Sequence, residues 1–320
     1  MSNTPYDDVF RTLLNDCSSL ALPLLNEVFG EHYTGKEKIV FSPNEHFINQ
    51  QDGEEDKRIT DTCFVVVDEK KKRYHWECQS TEDKRILVRI FEYDAQIALD
   101  EGEITGEVLE VEFPNSAVLS LRGGGSTPEN MKIRIKTPGG TIEYPIPVMK
   151  MRKYTLDEIF EKELLFLLPF YIFTHESRFS EYERDEEKLE LLKEEYISMV
   201  ERLDKLCLEG KFGEYEKCAI IDMSKKVAEN IASGYERVRK GVKEIMGGQI
   251  LDYEAKTILK QGIEKGREEG IERGIEQGQK TFADLTAILL EENRLEDLKR
   301  ATQDAAYRKQ LCRELHIGED

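Results

Sequence analysis

Asp61, Glu77 and Gln79 are the residues whose types and spacing could do chemistry. They belong to "TDTCFVVVDEKKKRYHWECQS", residues 60–80, where a charged turn joins two apolar runs. That pattern predicts a β-hairpin. Side chains alternate between the faces of a strand, and Phe64, Val66, Tyr74, Trp76 and Cys78 are all even-numbered. The even residues therefore share a buried face, and Asp61, Glu77 and Gln79 share the other. A symmetric pairing about the DEKKK turn sets Asp61 opposite Gln79 and Cys63 opposite Glu77. Neighbouring Cβ atoms there are about 5–8 Å apart, so two carboxylates can bring oxygens to roughly 4 Å, where they repel by about 4 kcal/mol at an effective dielectric near 20. A cation that prefers oxygen ligands (Mg²⁺, Mn²⁺ or Ca²⁺) turns that repulsion into a binding site. The alternative is a hairpin with solvated polar tips, and spacing alone does not separate the two.

The elements that must position these residues follow from periodicity. "PYDDVFRTLLNDCSSLALPLLNEVFG" has near-helical apolar spacing with a break at Pro23. "KIVFSP" predicts a short strand. After the hairpin, "DKRILVRIFEYDAQIALDEG" carries Ile86, Ile90, Ala95 and Ile97 on a helical period, with Gly102 as its stop. "EVLEVEF" and "AVLSL" read as strands. "MKIRIKTPGGTIEYPIPV" reads as a second hairpin, whose Pro145 and Pro147 predict an edge strand. From Thr155 the pattern is helical. A capping box pairs Thr155 with Glu158, one long helix closes at Gly210, and another runs from about Gly213 to Met246. The prediction is an α+β head over residues 1–150, a helical region over 151–250 packed on or next to it, and a helical tail over 251–320.

Charge narrows the function classes. The net charge is −19, so the chain repels nucleic acid and anionic membranes at long range, and a phosphate-bearing substrate needs local cations. The six cysteines show no C-x-x-C pair and no zinc spacing, which predicts reduced core thiols in the cytoplasm. The N-terminus lacks the pattern of a signal peptide. The longest apolar run, Leu164 to Phe173, is too short to span a bilayer and is interrupted by Pro169, so it reads as a buried helix end. Phosphate-loop, zinc-protease and serine-hydrolase motifs are absent. Of the scattered histidines, His75 lies on the odd face near Glu77, either as a supporting group or proton carrier or as a half-exposed strand residue.

Asp61 on one strand with Glu77-x-Gln79 on the next resembles the PD-(D/E)XK nuclease pattern. More specifically, the chain resembles the Rpn family of recombination-promoting nucleases and transposase-like proteins. "DDVFRTLL" is similar to that family's opening D-x-x-F-K helix, with Arg11 in the lysine place. Arg89 and Tyr93 in "RIFEY" are similar to its R-x-x-x-Y helix, and "IFEKELLFLLPFYIF" and the glycine-rich tail also look like its members. The resemblance implies a restriction-endonuclease-like core, a mixed sheet flanked by helices, and metal-dependent cleavage of DNA linked to recombination or transposition. It makes Asp61, Glu77 and the Cys78 carbonyl metal ligands, Gln79 a catalytic residue, Asp7 (or Asp8) the first-helix acid, and Tyr93 a supporting residue. Gln79 stands where the wider superfamily has lysine, which shifts electrostatic work onto the metal or onto Arg58, Lys84, Arg85 or Arg89. Arg89 could instead make a helix-surface salt bridge to Glu92 or Asp94, and Lys70 to Arg73 could be a solvated turn or a phosphate-contacting tip. The competing function is a nuclease-like fold acting as an oligomeric scaffold. A sequence-specific transposase is disfavoured because no separate target-reading module is visible.

Gly262, Gly266, Gly270, Gly274 and Gly278 fall four apart. Each costs a helix about 1 kcal/mol against alanine, but together they form a stripe along which another backbone can approach. The stripe predicts a homo-oligomer joined through the C-terminal helices, or else a flexible charged linker.

Overall fold

The structure is a computed structural model that describes residues 5–41, 45–49, 55–59, 63–68, 71–81, 83–100, 102–247, 283, 285–290, 294–303 and 305–315. Asp61 and the glycine ladder from Gly262 to Gly278 lie outside the described residues. The chain divides into two compact units, Met1–Gln249 and Ile250–Asp320.

The first unit opens with helix α1 (Pro5–Asp16), a 3-10 turn (Ser18–Ala21) and helix α2 (Leu22–Phe29). Strands β1 (Lys38–Phe41), β2 (Glu45–Asn49), β3 (Glu55–Ile59), β4 (Cys63–Val67) and β5 (Lys71–Gln79) follow. Helix α3 (Ile86–Asp100) leads to β6 (Glu103–Thr105), β7 (Val108–Glu110), β8 (Asn115–Ser120), β9 (Asn130–Thr137) and β10 (Gly140–Lys150). The chain then turns helical. Helix α4 (Leu156–Glu161), a 3-10 run (Leu165–Thr174) and α5 (Phe179–Tyr182) precede α6 (Glu186–Leu208), α7 (Glu214–Ile231) and α8 (Glu236–Gly247).

The fold is α+β and mostly helical, built on a mixed six-stranded sheet of order β1-β4-β5-β8-β10-β9. Strands β5 and β8 are parallel, as are β8 and β10, and the other pairs are antiparallel. Parallel neighbours need a crossover, and α3 supplies it between β5 and β8. The face of even-numbered residues carries the main core. Phe64, Val66, Tyr74, Trp76 and Cys78 join Phe10 of α1 and the apolar 3-10 run there. Phe10 meets Phe166 edge-on at 5.0 Å and lies 6.5 Å from Trp76. Each fully buried phenylalanine contributes about 1.5–3 kcal/mol. The opposite face packs under α3, where Ile86 and Ile90 meet Val118, Ile133, Ile146 and Val148.

Several local expectations change. The β4–β5 pairing sets Cys63 against His75 and Val67 against Lys71, two residues away from the symmetric register. A shift of two keeps every side chain on its face, so the even-face pattern survives. The proline-bearing strand β10 is not the sheet edge, because Val148 to Lys150 pair with β8. Its Pro145 and Pro147 lie where only β9 is paired, and their common parity keeps both missing donors on the same side. "EVLEVEF" forms a strand only over Val108–Glu110, paired with β6 across Gly106 at φ 65°. The run from Leu165 to Phe173 is wholly buried but winds as a 3-10 helix containing Pro169 rather than as the end of an α-helix. The long pattern from Gly213 divides into α7 and α8 around Ala232 to Tyr235. The capping box is present, with Thr155 accepting from the Glu158 amide and the Glu158 carboxylate accepting from the Thr155 amide. Buried His175 links the 3-10 run to α6 through Glu195, 3.1 Å away.

In the second unit, helices α9 (Leu295–Gln303) and α10 (Ala305–Glu314) pack with the helical residues 285–290 around Leu285, Leu289, Ala301 and Leu311. Among the described residues no helix is long and apolar enough to cross a membrane.

Candidate functional site

Strand β5 has paired neighbours on both sides and cover on both faces, so His75 and Glu77 are not solvated tips, while Lys71 at its start is exposed. His75 is fully buried and Glu77 is 1% exposed. The helix above them supplies the partners. Arg89, Tyr93 and Asp94 are four and five residues apart on α3, close to one helical turn, so they face the sheet together. Arg89 donates from Nη2 to Glu77 Oε2 at 2.8 Å and from Nη1 to Asp83 Oδ2 at 3.0 Å. His75 donates from Nδ1 to Asp94 Oδ1 at 2.7 Å, and the Ser116 hydroxyl donates to the same oxygen at 2.7 Å. The other imidazole nitrogen lies 3.6 Å from Glu77 Oε1, an ion pair rather than a hydrogen bond. Tyr93 meets His75 edge-on at 5.9 Å.

Charge in this buried row is mutually supported. Burial works against the imidazolium of His75, but Asp94 and Glu77 outweigh it and raise the pKa to about 9. Burial likewise pushes Glu77 up, and His75 and Arg89 more than offset it, holding the carboxyl below its usual range. Glu77 is therefore an ionised carboxylate at neutral pH. Its Oε1 has no hydrogen-bond partner among the described residues.

Gln79 lies two residues further along the same face and opens into a cleft of about 390 Å³ at the carboxyl ends of β5 and β8. Sheets with parallel strands tend to bind ligands at that end. The wall after β8 is crowded at Gly123, where a Cβ would come within 2.6 Å of the Ser120 hydroxyl and 3.1 Å of the Ser120 Cβ. Arg122 fixes the wall by donating to the Ser80 carbonyl at 2.6 Å and to Glu176 at 2.7 Å, and it lies over the Phe173 ring at 5.0 Å.

The other expected residues are dispersed. Lys84 is exposed on the cleft and Arg85 is exposed nearby. Arg58 pairs through its backbone with His46 in the separate β2–β3 ribbon. Cys78 points into the main core, opposite Glu77, and burial raises its thiol pKa well above the usual value. The carboxylate of Asp7, in the first turn of α1, adds to that rise, which brings Asp7 near the end of β5. In the basic turn region Lys72 is tied to Glu31 at 2.7 Å. Sequence reasoning missed Ser116 and Asp83, and it named Asp94 only as a possible partner of Arg89 rather than of His75. Asp94 was signalled, because it falls between Ile90 and Ile97 on the helical period that faces the sheet.

Among the described residues no group of three or more His, Cys, Asp or Glu side chains could hold a metal ion. Asp61, the expected partner of Glu77 in such a set, lies outside the described residues. Comparison with protein-family models, with curated proteins and with solved structures finds no match to this chain.

Proposed function

We propose that the chain is a metal-dependent DNA endonuclease with a PD-(D/E)XK-type core, related to the Rpn group and acting in recombination or transposon-type processes. The observation that carries this reading is the pair Glu77 and Gln79 on one face at the carboxyl end of a central strand, with Gln79 opening into a cleft. In this reading Asp61, Glu77 and the Cys78 carbonyl hold a divalent ion, Mg²⁺ first and Mn²⁺ or Ca²⁺ as substitutes. The reading requires the β4–β5 register to carry on to residue 61, across from Glu77.

When bound, such an ion polarises the scissile phosphate and lowers the pKa of a water molecule. The chain's own residues do the preparatory work. Arg89 and His75 keep Glu77 ionised and aimed before a cation arrives. Gln79 offers an amide donor without charge, so positive charge at the phosphate comes from Lys84, Arg85 or a released Arg89. At a net charge of −19 the chain has no long-range pull on DNA, and local cations decide binding. The same proposal takes the protein as cytoplasmic and as a homo-oligomer joined through its C-terminal helices.

One observation favours the second reading, a nuclease-like scaffold without catalysis. Both oxygens of Glu77 already face cations of the protein, Arg89 at 2.8 Å and His75 at 3.6 Å, so a metal there competes with positive charges already in place. Thermal unfolding with and without Mn²⁺ or Ca²⁺ separates the readings. A ligand at a hundred times its Kd stabilises by about 2.7 kcal/mol. The nuclease reading expects a rise in Tm that Asp61→Ala abolishes; an unchanged Tm with every ion favours the scaffold.

A further inference from the structure

The cleft beside Gln79 is built from two kinds of surface. Its floor is apolar, made by Val118, Val148 and Met131 on the three neighbouring strands β8, β10 and β9. Its rim carries groups that both donate and accept hydrogen bonds, the Gln79 amide and the hydroxyls of Thr81, Ser120, Ser126 and Thr127. Lys84 adds a positive charge. The carboxylate on the rim, Asp83, is compensated by Arg89 at 3.0 Å and by the Arg85 amide at 2.8 Å.

We infer that this cleft holds one unpaired nucleotide, with the base on the apolar floor and the sugar-phosphate along the polar rim, so that strand ends and single-stranded stretches are the preferred substrate. The inference rests on the nuclease reading of Glu77 and Gln79 for its choice of ligand. Three arguments support it. A volume of about 390 Å³ is near the lower end of the roughly 300–1,000 Å³ typical of small-ligand pockets. An intact duplex keeps its bases stacked and would leave the floor unused, whereas a base taken out of the stack is received between apolar groups and read by polar ones. Duplex affinity is gathered from many phosphate contacts along a basic surface, which a chain of net charge −19 is poorly equipped to provide. A single nucleotide needs only the cations at the cleft.

Gly124 provides the test. It lines the cleft, a Cβ added there meets nothing within 4 Å, and its backbone needs no left-handed conformation. Gly124→Leu therefore adds bulk at the wall of the cleft with no clash at its Cβ, and an unchanged Tm verifies that the fold is kept. Fluorescence anisotropy would compare a labelled short DNA single strand with the blunt duplex of the same sequence, in EDTA and in Ca²⁺. The expected result is binding about tenfold tighter for the single strand, with most of that preference lost in Gly124→Leu and duplex binding unchanged. Equal or tighter binding of the duplex, or a preference that survives Gly124→Leu, overturns the inference. Metal-dependent cleavage without strand preference sinks the cleft inference alone. Strand preference without cleavage in any metal sinks the nuclease reading and leaves the cleft assignment standing.

Discussion

Nδ1 of His75 lies 2.7 Å from Oδ1 of Asp94, joining strand β5 to helix α3 where neither residue has any exposure. A buried charge survives only when its partners compensate for lost hydration. Asp94 and the Ser116 hydroxyl do that on one side of the imidazole, and Glu77 with Arg89 continues the row on the other. The helix is thus tied to the sheet by charge beside the apolar contacts of Ile86 and Ile90.

Stability should depend on pH at both ends of that row. The pKa of His75 is raised from 6.5 to about 9, so its contribution is full below the unfolded value and is lost as pH rises through the folded one. Glu77 is shifted below its usual 4.5, so its contribution is present above that value and is lost as pH falls through the folded one. Each pKa unit corresponds to about 1.4 kcal/mol. The unfolding free energy from urea denaturation in EDTA should decline between about pH 6.5 and 9 by a few kcal/mol at most, with a matching fall in the midpoint, and Asp94→Asn should flatten that decline. A wild-type midpoint constant across the window contradicts the charged row.

Removing one member of a buried pair leaves its partner uncompensated. Glu77→Gln should cost about 3 kcal/mol. Arg89→Gln should cost less, about 1–2 kcal/mol, because the Arg89 side chain is 20% exposed and water screens it. The double variant should be more stable than the sum of the two losses predicts. Additive losses in chemical denaturation would show that the two residues do not interact.

Thr155 caps α4 through its side chain, and Glu158 returns the bond to the Thr155 amide at 2.8 Å. Thr155→Ala should lower stability by about 1 kcal/mol without changing any activity. A neutral effect in the same denaturation assay would mean the cap is not formed in solution.

The first compact unit ends at Gln249. A chain truncated there should unfold cooperatively with a Tm near that of the full chain. If the glycine-laddered tail joins copies, sedimentation should show the truncated chain as a smaller oligomer or a monomer. An unchanged oligomer size would move self-association to the first unit.

Much of the hairpin was legible because Tyr74, Trp76 and Cys78 alternate with polar residues along β5, and parity assigned Glu77 and Gln79 to one face. Its register was not. Lys71, Lys72 and Arg73 give no apolar signal, and a two-residue slip preserves parity, so both pairings fit the same pattern. Burial of His75 and Glu77 was also hidden, because their cover comes from Tyr93, Asp94 and Arg89 on a helix whose approach is a long-range property. The break between α7 and α8 escaped notice because Gly234 sits within an otherwise continuous helical period. The capping box was read directly, since a cap depends on residues three apart.

The most direct test of the central claim is cleavage of supercoiled plasmid at low salt by the purified full chain in EDTA, Mg²⁺, Mn²⁺ or Ca²⁺, beside Asp61→Ala, Glu77→Gln and Gln79→Ala. The account predicts nicking that requires Mg²⁺ or Mn²⁺, vanishes in Asp61→Ala and Glu77→Gln, and weakens in Gln79→Ala, with Asp61→Ala still folded. No nicking with any metal, or nicking that persists in folded Asp61→Ala, would contradict it.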